Sequence, residues 1–358
     1  MIKFNELFDC SKKNEINKSQ KEFKYTIPWI DKYRPTKLCD VVYQDDVVKM
    51  LSNILKTGNM PHMLFHGPPG SGKTSTILAI SMELFGPKKF KERVIELNAS
   101  DERGINIVRN KLVTLAKTAV SEKDPNYLCP PYKIIILDEA DAMTTEAQSA
   151  LRKTMEDHSS ITRFCFICNY INQIIDPITS RCVKIRFKSI NEPIMTEKLQ
   201  TIAKNENIQI TNDAISKISI ISNGDMRKGI MILQNLNYLN KPVEIDDVYE
   251  IANVVPLHKL SNIIHITIDK NKNTLEIKNL VREFIMNGYP LNLILSQLTD
   301  LIIKDTTIND IMKSLICIHI SNTEKRLIDG ADEYLQLLSI FMCIRTVVLK
   351  IDSIYDLR

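Results

Sequence analysis

The segment at residues 67–74 has the composition and spacing of a phosphate-binding loop. It reads Gly-Pro-Pro-Gly-Ser-Gly-Lys-Thr, follows a short apolar run and precedes a helical pattern, as the G-x-x-x-x-G-K-[ST] motif requires. Its glycines let backbone N–H groups face phosphate oxygens, and the helix N-terminus adds positive potential. We therefore predict that Lys73 contacts the β- and γ-phosphates of ATP and that the Thr74 hydroxyl binds Mg²⁺. The predicted nucleotide-binding residues of this loop are Gly67, Pro68, Pro69, Gly70, Ser71, Gly72, Lys73, Thr74 and Ser75.

An acidic pair follows a second apolar run. Residues 134–137 read Ile-Ile-Ile-Leu and lead into Asp138 and Glu139, at the carboxyl end of a predicted central strand, where α/β proteins place their ligands. Asp138 then suits a role in holding Mg²⁺, usually through water, and Glu139 suits a general base that orients and polarises the attacking water. The alternative is a capped loop with two surface acids. Asp141 we interpret as a helix cap or a solvated side chain.

Three further residues, Asn169, Arg181 and Arg227, indicate a particular class of ATP-binding protein only when they are considered together. Asn169 ends a predicted strand, so its amide either lies beside the γ-phosphate or caps a loop, and position alone does not choose between the two. Arg181 precedes another strand. Arg227 opens a later helix, from which it could reach phosphate across a cleft. Taken singly, an arginine in either place is more often a solvated or salt-bridged surface residue.

Apolar runs alternate with amphipathic runs between residues 25 and 190, which is typical of an α/β domain with a parallel sheet flanked by helices. The predicted strands are 62–65, 94–97, 133–137, 163–168 and 183–187, and the predicted helices are 72–84, 105–119 and 144–156. Beyond Pro193, apolar residues at spacings of three and four predict helices only. We divide the chain into a flexible tail (1–24), the α/β domain (25–190), a small helical domain (191–255) and a helical C-terminal domain (256–358).

The composition is that of a folded, soluble protein. Hydrophobic residues make up 44% and charged residues 25% of the 358 residues, and no apolar run has the length of a membrane span or a secretory signal. The eight cysteines include a C-x-x-C at 165 and 168, which we interpret as two reduced core thiols on opposite faces of one strand. The net charge is +4, and the basic excess of 25–190 is compatible with a polyanionic partner.

Taken together, the motifs resemble the AAA+ clamp-loader family, in particular the small subunits of replication factor C. The resemblance extends from about residue 29 to 255. It is carried by Trp-Ile-Asp-Lys-Tyr-Arg-Pro at 29–35, the loop at 67–74, Leu-Asn-Ala-Ser-Asp-Glu-Arg-Gly at 97–104, Leu-Asp-Glu-Ala-Asp at 137–141, Ile-Cys-Asn-Tyr at 167–170, Ser-Arg-Cys at 180–182 and Gly-Asp-Met-Arg-Lys at 224–228. The segment Cys-Pro-Pro-Tyr-Lys at 129–133 resembles the type numbered four in animals and two in yeast.

The resemblance assigns roles that the residues alone only permit. It implies an AAA+ ATPase domain, a helical lid and a helical collar that forms subunit contacts. Tyr33, Arg34 and Pro35 would line the adenine pocket. Asn169 and Arg227 would be the two phosphate sensors. Arg181 would act as an arginine finger in the neighbouring subunit's site.

The implied partners are one large and three other small subunits, a ring-shaped sliding clamp of the proliferating-cell nuclear antigen type, and a primed DNA junction. The implied location is the nucleus, with no membrane.

Two predicted helices have polar faces suited to DNA phosphates. In the helix 105–119 and the residues just before it, Arg103 lies opposite the apolar stripe and Arg109 lies on its flank. In the helix 144–156, Arg152 faces outward, with Gln148 on the same side and Lys153 nearby. An ordinary solvated face is the alternative. The rival functions are a DNA motor of the branch-migration type, which should carry a C-terminal winged helix, and an architectural subunit with structural ATP. A small-molecule kinase is the weakest, because no acceptor lid is recognisable.

Overall fold

The computed structural model describes residues 27–41, 45–99 and 124–349. The tail, Arg103, Arg109 and the predicted helix 105–119 lie outside these ranges. The chain divides into two units, 1–34 and 35–358. The first contributes helix α1 (Trp29–Lys32), after which the Tyr33 ring meets the Trp29 ring edge-on.

The larger unit opens with the α/β domain. Its strands are β1 (Met63–His66), β2 (Val94–Asn98), β3 (Lys133–Asp138), β4 (Thr162–Cys168) and β5 (Val183–Arg186), and its helices are α2 (Asp45–Thr57), α3 (Lys73–Arg93), α4 (Thr145–Asp157) and α5 (Asp176–Thr179). The strands pair in parallel in the order β2-β3-β4-β1-β5. All five predicted strands lie within one residue of the observed ones.

The central strands are apolar along their whole length because both faces of the sheet are covered. Alternate residues of β3 enter two different cores: Ile134 and Ile136 pack with α2 and α3, whereas Ile135 and Leu137 pack with α4. The C-x-x-C follows the same rule, with Cys165 in the first core and Cys168 in the second. The six cysteines whose side chains the structure describes, from Cys129 to Cys343, are free thiols, and burial raises the pKa of Cys168 to about 12.

The chain then becomes all-helical. Four helices follow the sheet: α6 (Glu192–Asn205), α7 (Asn212–Ser222), α8 (Met226–Asn237) and α9 (Ile245–Ile251). Five more complete the described chain: α10 (Leu257–Ile268), α11 (Thr274–Met286), α12 (Leu291–Lys304), α13 (Asp310–Ile328) and α14 (Glu333–Leu349). The last five share one hydrophobic core of their own. Among the described residues, no helix has the length and apolarity needed to cross a membrane.

Candidate active site

The phosphate-binding loop connects β1 to α3. Gly72 caps α3 in a left-handed conformation and contributes no side-chain bond, so the first N–H groups of the helix remain available to an anion. Gly67 has a φ of +149°, and a Cβ there would lie 2.2 Å from the Phe187 carbonyl oxygen. The loop is therefore closed down against the end of β5 in a shape that only glycine permits.

Lys73 points back into this loop. Its Nζ donates to the carbonyl oxygens of Gly67 and Pro68, both at 2.9 Å, and to Asn169 Oδ1 at 3.0 Å. These three acceptors use all three ammonium protons. Burial lowers the pKa of Lys73, and the charge of Asp138 opposes that shift. The Lys73 ammonium is thus held inside the phosphate-binding loop. A bound phosphate would take the place of its present hydrogen-bond acceptors.

Thr74 and Asp138 bring two oxygen ligands together. The Thr74 hydroxyl donates to Asp138 Oδ2 at 2.8 Å, and the second carboxylate oxygen, Oδ1, accepts from the Glu139 N–H at 2.9 Å. Adjacent ligands of an octahedral Mg²⁺ at 2.0–2.1 Å lie about 2.9 Å apart. The oxygen–oxygen separation of 2.8 Å would therefore allow Thr74 and Asp138 to hold the same Mg²⁺.

Glu139 has an unusual backbone. Its φ of +52° places a non-glycine residue in the left-handed region, which costs about 1–2 kcal/mol. The side chain is exposed, and within the described ranges its carboxylate has no hydrogen-bond or ion-pair partner. The turn thus presents an uncommitted carboxylate directly after Asp138, as a base acting on water requires.

Asn169 is fixed by Asp141. One oxygen of Asp141 accepts from the backbone N–H of Asn169 at 3.0 Å and of Tyr170 at 3.3 Å, so the strand end that carries the Asn169 amide is held over Lys73. The interpretation of Asp141 as a helix cap or solvated residue was wrong. The Asp141 carboxylate accepts two backbone hydrogen bonds from the end of β4. The sequence around Asp141 does not reveal this contact.

Helix α8 begins against the phosphate-binding loop. Asp225 caps it by accepting from the N–H groups of Arg227 and Lys228 at 2.9 and 3.2 Å. The Met226 N–H donates to the Gly70 carbonyl at 3.4 Å, and a Cβ on Gly70 would lie 1.8 Å from Asp225 Oδ1. The positive charge of Arg227 contributes to lowering the pKa of Lys73. Arg227 is therefore brought to the phosphate side of the site.

Comparisons with known proteins identify the family of the chain. Three family models match: the ATPase family associated with various cellular activities at 63–190, an RCF1/5-like AAA+ ATPase lid domain at 197–236, and the replication factor C C-terminal domain at 256–343. Replication factor C subunit 2 of Schizosaccharomyces pombe is 47% identical over 92% of this chain and 97% of its own length. Replication factor C subunit 4 of Homo sapiens is 44% identical over 88% of this chain and 86% of its own. The chain belongs to the replication factor C family.

The chain is accordingly an ATPase of the clamp-loader class, and the resemblance to the type numbered four in animals and two in yeast is confirmed. The C-terminal match to replication factor C removes the reason to consider a winged-helix motor. A solved structure of the Thermotoga maritima RuvB branch migration motor aligns with 66% of this chain and 80% of its own at a TM-score of 0.49 and 18% identity. At that distance the alignment has no bearing on activity.

In this replication factor C chain, the predicted arginine finger lies away from the chain's own phosphate-binding loop. Arg181 follows α5 and donates through Nη1 to the Pro177 carbonyl at 2.7 Å, while Nη2 lies 2.5 Å from Glu156 Oε1. Arg152 on α4 donates to the same Glu156 oxygen through Nε at 3.2 Å. Arg152 and Lys153 are both exposed, as a phosphate-binding face requires. Tyr33, Arg34 and Pro35 remain predicted pocket residues.

One residue of α4 departs from the prediction. Gln148 was expected on the outer, polar face, but it is 1% exposed. Its Nε2 donates to the carbonyls of Met143 and Gln173, at 3.3 and 3.0 Å, and its Oε1 accepts from the Ile175 N–H at 2.9 Å. Helical spacing predicted an exposed Gln148, but residues 173–175 cover that side of α4. The sequence carried no signal for these distant backbone partners.

Proposed function

We propose that this chain is an ATP-hydrolysing subunit of a pentameric complex that opens a ring-shaped clamp and loads it at primer–template junctions, in the nucleus, during DNA replication and repair. One observation carries the proposal. The groups that would bind and cleave a triphosphate converge at the carboxyl end of the sheet in an otherwise typical replication factor C chain: Lys73 contacts Asn169, and Thr74 contacts Asp138.

Each residue has a distinct part in the proposed reaction. Lys73 and the N–H groups of the loop bind the β- and γ-phosphates, and Thr74 and Asp138 would hold Mg²⁺, which supplies charge neutralisation when bound. Glu139 takes a proton from the attacking water. Asn169 and Arg227 contact the γ-phosphate, and Tyr33, Arg34 and Pro35 are the residues that the family resemblance assigns to adenine. The product remains ADP and phosphate, and the energy drives a conformational cycle.

The proposed in-trans role of Arg181 is supported by its exposure. Guanidinium groups supplied by a neighbouring chain accelerate phosphoryl transfer by about 10³–10⁵. Of the five N–H donors, two are engaged by Pro177 and Glu156, so three remain for a neighbour's γ-phosphate. An active site assembled from two subunits would link hydrolysis to the integrity of the complex.

The proposed boundaries are 25–190 for the ATPase domain, 191–255 for the lid and 256–358 for the collar. Helix α13 of the collar exposes Ile311, Leu315 and Ile318, which share one face at spacings of four and three. We assign this stripe to packing against a sibling subunit. Exposed contiguous apolar side chains of this kind mark interaction surfaces.

The decisive experiment uses the assembled complex. Its ATPase should be stimulated by primed DNA together with the clamp, and Lys73→Ala in this chain should remove nucleotide from this site. Glu139→Gln is the matched variant: it should retain ATP binding while losing this site's hydrolysis. Undiminished turnover with Glu139→Gln would mean that ATP has only a structural role here. Absence of nucleotide from the wild-type site would overturn the proposal as a whole.

A further inference from the structure

Glu156 connects two arginines to which different partners are assigned. Its Oε1 accepts from Arg152, the residue proposed to contact a DNA phosphate, and from Arg181, the proposed finger for the neighbouring site. Arg152 lies one turn before Glu156 on α4, whereas Arg181 comes from beyond β4. The carboxylate is thus the direct link between the proposed DNA-facing helix and the intersubunit edge.

The contacts fix the Arg181 guanidinium but leave some of its N–H donors available to another acceptor. Pro177 occupies one N–H of Nη1, Glu156 occupies one of Nη2, and the other three N–H groups have no acceptor among the described residues. Two anchors on different nitrogens fix the plane of the guanidinium. A fixed plane with free donors is what catalysis of phosphoryl transfer requires, because the charge must be in position before the transition state forms.

The contacts are also easily redistributed. The side chains of Arg152, Glu156 and Arg181 are 48%, 44% and 34% exposed, and exposed ion pairs are each worth little. The hydrogen bond from Arg152 and the charges of both arginines lower the pKa of Glu156, so the carboxylate is ionised at neutral pH. Since both arginines share one oxygen, withdrawal of Arg152 leaves the full attraction to Arg181.

Building on the proposed function, we infer that Glu156 is a positioning residue that orients Arg181 for the neighbouring active site, and that DNA strengthens this hold by drawing Arg152 away. A backbone phosphate that takes over Arg152 frees the shared oxygen. Arg181 is then fixed more firmly, and the neighbour's hydrolysis rises. The link is reciprocal, so nucleotide bound at the neighbouring site should also favour release of Arg152 towards DNA.

The first test compares Glu156→Gln with Asp157→Asn in the assembled complex. Each removes one negative charge from the same end of α4, and Asp157 is exposed and has no bonded side-chain partner in the described chain. Glu156→Gln should lower the DNA-stimulated kcat about two- to fivefold, the range for one exposed ion pair, with the KM for ATP unchanged. Asp157→Asn should match the wild type. Equal effects of the two variants, or a faster Glu156→Gln complex, would overturn the inference.

The second test uses Arg152→Ala. It should weaken DNA binding, yet raise the DNA-free hydrolysis rate about two- to fivefold because Glu156 then serves Arg181 alone. A merely structural role of Glu156 would not produce that rise. An unchanged or lower DNA-free rate would refute the coupling.

Arg181→Ala separates this inference from the proposed function. If that change leaves hydrolysis intact, the in-trans arginine assignment fails, and the positioning role of Glu156 fails with it. If Arg181→Ala abolishes the neighbour's hydrolysis while Glu156→Gln behaves as wild type, only the positioning role is wrong. In the Arg181→Ala background, Glu156→Gln should have no additional effect, since it acts through Arg181.

Discussion

Replacement of Asp141 by alanine should slow ATP hydrolysis at this site while leaving ATP binding nearly unchanged. Within the described residues Asp141 makes no hydrogen bond to the phosphate-binding loop, although its charge acts to raise the pKa of Lys73. It holds the backbone of Asn169 and Tyr170, and Asn169 in turn contacts Lys73. Loss of the carboxylate frees the sensor amide, while the loop that binds the phosphates keeps its own glycines and helix N-terminus.

The magnitude follows from the two lost hydrogen bonds. A hydrogen bond to a charged group contributes about 1.5–3 kcal/mol, but these two, at 3.0 and 3.3 Å, are made by a partly exposed carboxylate, so we assign each about 0.5–1 kcal/mol. The substitution therefore removes about 1–2 kcal/mol of the interaction free energy that orients Asn169. If this loss is expressed in the transition state, kcat falls about 5- to 30-fold, since about 1.4 kcal/mol corresponds to a factor of ten.

The assay is the steady-state ATPase of the assembled complex with primed DNA and clamp, with nucleotide binding measured separately by equilibrium titration. The complex carrying Lys73→Ala gives the background from the other sites. After subtraction, Asp141→Ala should show a reduced kcat with a KM close to that of the wild type. This pattern identifies an interaction made only in the transition state.

Asp141→Asn is the matched control, because its amide oxygen can still accept from both N–H groups. It should retain activity within about threefold of the wild type, reflecting the loss of charge assistance. Full activity of Asp141→Ala, or a raised KM with unchanged kcat, would show that Asp141 does not position the sensor.

Three further predictions concern the rest of the chain. Gln148→Ala removes the three hydrogen bonds of this buried side chain, two of them to partly exposed backbone groups, so the free energy of unfolding should fall by about 1–3 kcal/mol; an unchanged melting temperature would contradict the observed network. Burial lowers the pKa of His62 from 6.5 to about 4, so the unfolded chain binds the extra proton and stability should decline as pH falls from 6.5 towards 4. His62→Gln should flatten that decline in denaturant titrations, and an identical pH profile would refute the assignment. Ile318→Asp should reduce co-purification of sibling subunits while leaving the chain's circular dichroism unchanged; loss of helicity instead would place Ile318 in the fold.

The sequence predicts the sheet well because its information is local. β3 and β4 are buried on both faces, so their apolar runs identify them without knowledge of the neighbours. Lys73, Thr74 and Asp138 are likewise marked by short motifs, and the structure brings all three together.

The residues that were missed depend on contacts between distant segments. Asp141 bonds a strand end 28 residues away, and Gln148 bonds backbone 25 and 27 residues away. Neither partner can be inferred from periodicity, which reports only the face of a helix and not what covers it. Glu156 could have been suspected from its spacing of four after Arg152. Its contact with Arg181, however, follows only from the packing of α4 beside α5.

The close contact between Gly70 and Asp225 couples the position of the lid to the conformation of the phosphate-binding loop. There is no room for a Cβ on Gly70, and the Met226 N–H in the first turn of α8 donates to the Gly70 carbonyl. A small movement of the loop would therefore also move helix α8. Twelve residues of α8 span about 18 Å, so a tilt of about 5° at the loop end displaces the far end by about 1.6 Å. We therefore expect that a shift of the loop on phosphate binding would move the far end of α8 further than the loop itself.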